Sequence, residues 1–64
     1  MDINVLLEGR GEGTPLKVTM KTGRVLRGVI DIIEGHFFTL ADYNDEKVTI
    51  DIEDVSLIED DTDY

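Results

Sequence analysis

Beyond residue 15 the chain alternates apolar and polar positions with a period of two, which predicts β-strands. Leu16, Val18 and Met20 alternate with Lys17, Thr19 and Lys21, the pattern of a half-buried strand. Lys21 to Arg24 is a turn, with Gly23 free to take positive φ. A long second strand, Val25 to Ile33, puts Leu26, Ile30 and Ile32 on one face and Arg27, Val29, Asp31 and Ile33 on the other. Gly28 interrupts that strand and predicts a sharp bend or a bulge. Glu34-Gly35 turns the chain into a third strand, His36 to Asp42, with Phe38 and Leu40 on one side. A tight turn at 43–46 leads to a fourth strand, Lys47 to Ile52, with Val48, Ile50 and Ile52 inward. Glu53-Asp54 turns into a short fifth strand, Val55 to Glu59, and residues 60–64 read as a charged, frayed tail.

The first fifteen residues are less determinate. Asp2 can cap a short helix with Ile3, Leu6 and Leu7 on one side, and the same run can be a short strand. Gly9 to Pro15 holds three Gly and one Pro and reads as a flexible loop. Five short strands with tight turns and no crossover helix form an antiparallel meander. So few strands hide their edges best by curling into a small barrel. The expected fold is therefore mainly β: a five-stranded, strongly bent antiparallel sheet forming a small SH3-like barrel. The 64 residues make one domain: leader and loop over 1–15, barrel over 16–59, acidic tail over 60–64. A compact monomer of this length has a radius of gyration of roughly 11 Å, which leaves no room for a cleft between two lobes.

Charge changes the picture. Six Lys or Arg face fifteen Asp or Glu, for a net charge of −9. Residues 1–27 carry five cations against three acids, a balance of +2; residues 28–64 carry only Lys47 against twelve acids, a balance of −11. Such a total disfavours broad attraction to phosphate backbones or anionic lipid, but leaves room for a local basic patch in the first half. The absence of Cys excludes disulfides and Cys-ligated metal. No apolar run reaches about 18 residues and no signal-peptide pattern opens the chain, so the expected location is the cytoplasm, with no membrane partner. One His, one Ser and no Cys supply no nucleophile–base–orienter set, so an enzyme is not expected, nor any cofactor. Gly9, Gly11 and Gly13 lack the Lys-Ser/Thr of a phosphate loop. Asp42, Asn44 and Asp45 lack the Gly and Glu of a calcium loop, so no metal site is expected.

Over about residues 4–58 the chain resembles the Sm-like family, which includes LSm proteins and bacterial Hfq. The resemblance rests on the strand Leu16 to Met20, on Gly23 and Gly28, on apolar Ile30, and on Glu34 where the family has Asp. It continues through His36, Phe37, Phe38 and Leu40, and the leader Val5-Leu6-Leu7 resembles the family's N-terminal helix. The second family motif departs from the pattern, because Asp51, Glu53 and Asp54 stand where a basic residue is usual.

The resemblance implies a short helix on a five-stranded bent sheet. It also implies pairing of the fourth strand of one subunit with the fifth of the next, closing a homo-oligomeric ring of five to eight subunits. Val48, Ile50, Ile52, Val55, Leu57 and Ile58 would form that interface, consistent with the liability of an uncovered apolar edge. It implies single-stranded RNA, or DNA, as ligand, with a role in RNA processing or regulation. His36 and Phe37 would stack bases, and Arg24, Arg27 and Lys17, with Lys21, would meet phosphates. Phe38, where the family often has Asn, reads as core. The acids at 51–54 and 59–63 support a second expectation: an acidic interaction or assembly module that binds no nucleic acid and faces a basic partner.

Overall fold

A computed structural model describes residues 2–62. Helix α1 spans Ile3–Leu7, followed by strands β1 (Pro15–Met20), β2 (Val25–Glu34), β3 (Phe37–Ala41), β4 (Lys47–Asp51) and β5 (Val55–Asp60). The leader is thus a helix. Asp2 caps it by accepting the Asn4 N–H at 2.8 Å, and Glu8 ends it in the left-handed region at φ 54°. Five residues are too few to hold a helix in water. Burial of Ile3 and Leu7 in the core holds this one.

The five strands form one antiparallel sheet in the order β4-β3-β2-β1-β5. The sheet does not close on itself into the expected small barrel: β4 and β5 are its two edges. They are joined by a 3₁₀ turn, Ile52–Asp54, whose backbone bonds elsewhere. The Ile52 N–H donates to the His36 carbonyl at 2.9 Å, and the Asp54 carbonyl accepts from the Lys21 N–H at 2.8 Å. The connection is therefore tied across one end of the sheet, against the β2–β3 and β1–β2 turns. Ile52 lies in this turn rather than in the fourth strand, yet its side chain remains buried.

At Gly28 β2 lies close against the end of β3. A Cβ there would sit 2.5 Å from the Ala41 carbonyl oxygen. Beyond it the sheet slips register. Ile30 pairs with Leu40, but Ile33 pairs with Phe38, so β2 carries one extra residue. The bulge reverses the expected parity: Ile33 packs against the core, and Ile32 points outward, 48% exposed. The Ile32 N–H is taken by the Thr39 hydroxyl at 3.0 Å. Lys47 Nζ reaches Asp31 Oδ2 in the same stretch at 3.0 Å.

The core is built from Leu16, Val18, Ile30, Phe38, Leu40 and Ile50 of the sheet together with Leu7 of α1. The radius of gyration is 10.4 Å. Two expectations about the ends are corrected. The glycine loop is not a loose linker: Gly13 N–H donates to the Ile30 carbonyl at 2.8 Å, and Ile30 N–H to the Thr14 carbonyl at 3.0 Å, so the loop extends the β1–β2 ladder. The acidic segment is not frayed through Asp61: Asp60 ends β5, and Asp61 is buried. Residues 63 and 64 of the expected tail lie outside the described residues.

Candidate nucleic-acid interface

The bond from Ile52 N–H to the His36 carbonyl joins the β2–β3 turn to the 3₁₀ turn between β4 and β5. His36 lies in the β2–β3 turn and is exposed. Phe37 opens β3 opposite Glu34 on one side and Asp51 on the other, and is 41% exposed. Phe38 faces the other way and is wholly buried, the core residue its alternation implies. His36 and Phe37, consecutive and exposed, thus sit at one end of the sheet; Glu34 and Asp51, the register partners of Phe37, and Glu53 and Asp54 of the adjoining 3₁₀ turn are exposed as well. The Asp51 carboxylate accepts the Glu53 N–H at 2.9 Å and so caps the 3₁₀ turn.

The cations assigned to phosphate do not gather around these rings. Arg24 is exposed and lines, with Lys21, a groove of about 300 Å³ between the β1–β2 turn and β4. Met20, Leu26 and Val48 make its apolar walls, and Asp54 stands at its margin. Lys17 and Arg27 are register partners in β1 and β2. Arg27 is seven positions along β2 from Glu34, about 23 Å of extended strand.

Arg27 is also engaged. Its Nη2 donates to Asp61 Oδ1 at 2.7 Å and its Nε to Asp61 Oδ2 at 3.0 Å. The Tyr43 hydroxyl donates to Asp61 Oδ2 at 2.7 Å. Sequence reading did not find this triad, and no local signal announces it, since Tyr43 and Asp61 reach the site from separate elements. A second ion pair, Arg10 Nε to Asp60 Oδ1 at 2.7 Å, lies beside α1. The hydrogen bond from Arg10, and then its charge, hold the Asp60 carboxyl below the usual aspartate value and raise the Arg10 guanidinium.

The residues expected at a subunit interface divide. Ile50, Ile52 and Val55 are 7% exposed or less, so their side chains belong to this chain's own core. Val48 and Ile58 are half-buried against that core. Leu57 is 51% exposed and shares a shallow depression along β5 with Val5, itself 67% exposed. What the two edges offer a partner is their backbone, with the Val48 groove on one side and the Leu57–Val5 surface on the other.

Among the described residues, no cluster of three or more His, Asp or Glu is placed to hold a metal ion, and no helix is long and apolar enough to cross a membrane. Compared with known proteins, the chain matches no family model, no curated protein and no solved structure.

Proposed function

We propose that the chain is a ring-forming, Sm-like subunit that binds single-stranded nucleic acid, RNA by family resemblance, through bases stacked on His36 and Phe37. The observation that carries this reading is the junction of the β2–β3 turn with the 3₁₀ turn through Ile52 N–H and the His36 carbonyl. His36 and Phe37 follow one another at this junction and both are exposed, which supports a stacking platform that a ring edge or pore would repeat once per subunit. The strand order supports the same reading, since the strands that would pair between subunits, β4 and β5, are both edges.

The site's charge dictates a particular mode of binding. Stacking contributes about 1–3 kcal/mol per base and tolerates any base. Phosphate neutralisation contributes little here, because Glu34 and Asp51 flank Phe37 and Arg27 is engaged by Asp61. Phe38 is buried and has no polar atom for a base edge, so uridine selectivity is not expected. Binding is therefore expected to be weak, sequence-tolerant and shallow in its salt dependence.

The carboxylates also favour a second reading. Glu34, Asp51, Glu53 and Asp54 around exposed His36 and Phe37 suit a Lys- or Arg-rich protein segment, held by ion pairs and cation–π contact. One titration separates the two. Fluorescence polarisation of labelled oligo(U), oligo(A) and single-stranded DNA is measured at two salt concentrations, with wild type and His36→Ala. The nucleic-acid reading expects binding that falls at least about fivefold in His36→Ala, the equivalent of about 1 kcal/mol. Equal affinity in the two proteins removes the stacking site. No binding at low salt removes nucleic acid altogether and leaves the basic-partner reading.

A further inference from the structure

Three of the six cations are ion-paired: Arg10 with Asp60, Arg27 with Asp61 and Lys47 with Asp31. Among the described residues, Lys21 and Arg24 enter no ion pair, although the chain holds fifteen acids. Both are exposed, and both line the groove of about 300 Å³ between the β1–β2 turn and β4. The rest of that groove is of the opposite character. Met20, Leu26 and Val48 are half-buried, with one side packed on the core and the other open to the groove.

What such a place can hold follows from its chemistry. Two cations without a partner attract an anion, and apolar walls favour a hydrocarbon over water. Asp54 stands at the margin and repels further negative charge, which disfavours a polyanion. Small-ligand sites run from about 300 to 1,000 Å³, so this one suits a short ligand. One carboxylate on a short apolar tail meets all of these conditions.

We propose that the groove binds a small amphipathic carboxylate of the medium-chain fatty-acid class. Its carboxylate would lie at Lys21 and Arg24, and its tail against Met20, Leu26 and Val48. The site shares no side chain with His36 or Phe37 and needs no nucleic acid. It borders the unpaired edge β4, so a bound ligand and a second copy paired on β4 would compete for one place.

The test titrates sodium octanoate into the ¹⁵N-labelled whole chain and follows the backbone amide signals. Octylammonium, with the same tail and the opposite charge, and inorganic phosphate, with no tail, are the comparisons. Saturable octanoate shifts are expected at Met20 to Leu26 and at Val48 to Ile50, with affinity at least about tenfold above either comparison. Lys21→Gln with Arg24→Gln is expected to abolish the advantage over octylammonium. Both positions are exposed, so the fold should survive the change.

The titration is repeated in Leu57→Glu, which frees the β4 edge if the chains form a ring. Octanoate binding in both proteins upholds the site and leaves the groove open in the wild type. Binding in Leu57→Glu alone upholds the site and names a second copy as its occupant in the wild type. Octanoate binding in neither protein overturns the proposal. So does phosphate binding as tightly as octanoate, or an advantage over octylammonium that survives the double Gln variant.

Discussion

At Gly28 a single atom decides whether β2 can lie against the end of β3. The Ala41 carbonyl oxygen lies 2.5 Å, and the Ala41 carbonyl carbon 3.0 Å, from the place a Cβ would take. Both are backbone atoms, so no side chain can rotate away. Gly28→Ala is expected to destabilise the fold by about 1–3 kcal/mol, the range for forcing atoms into a packed site. A lower urea midpoint with unchanged slope would register it, and an unchanged midpoint would mean that β2 and β3 part there without cost. The sequence marks Gly28 as a special position, but as a bend or a bulge; the structure shows a close backbone approach there and puts the bulge farther along, between Ile30 and Ile33. The Asp61–Arg27–Tyr43 contact is not legible. Its partners lie 34 and 18 residues apart from Asp61, and an acid in an acidic run looks like every other solvated acid.

At the scale of elements, period-two reading recovers all five strands because each buries one face. It fails inside β2, and the failure has a specific cause. The extra residue between Ile30 and Ile33 turns every later side chain to the opposite face. Four apolar residues in five, Val29 to Ile33, give no clue to where the phase changes. The outcome is testable by two substitutions one position apart. Ile32→Ala removes an outward side chain and is expected to change stability by less than about 0.5 kcal/mol. Ile33→Ala removes a side chain packed on the core and is expected to cost more than about 1 kcal/mol. Comparable urea midpoints for the two variants would contradict the bulge. The helix α1 shows the complementary limit: its five residues fit helix or strand locally, and burial of Ile3 and Leu7 decides.

For the whole molecule, the proposed ring turns on the two sheet edges. A small sheet with β4 and β5 both unpaired presents two rows of backbone donors and acceptors, a template for pairing with another chain. Charge alone does not blunt them. Lys47, Glu59 and Asp60 stand near the strand ends, but Leu57 is 51% exposed in the middle of β5, with Val5 beside it. An apolar residue at an edge, next to an exposed apolar residue on the helix, fits a surface that another copy covers. The opposite edge carries a groove with Met20, Leu26 and Val48 as walls and Lys21 and Arg24 at its margin. Glu8 and Glu59 flank the Leu57 surface, so the two edges differ in sign as well as in shape. Two unlike edges that meet head to tail close into a ring when the rotation per subunit permits. Light scattering coupled to gel filtration is therefore expected to give a mass several times the 7.2 kDa of the chain. Leu57→Glu, which sets a charge in the middle of that contact and leaves the buried core untouched, is expected to shift the mass toward the monomer. Wild type running as a monomer across micromolar concentrations would refute the ring, and an unchanged assembly in Leu57→Glu would place the contact on some other surface.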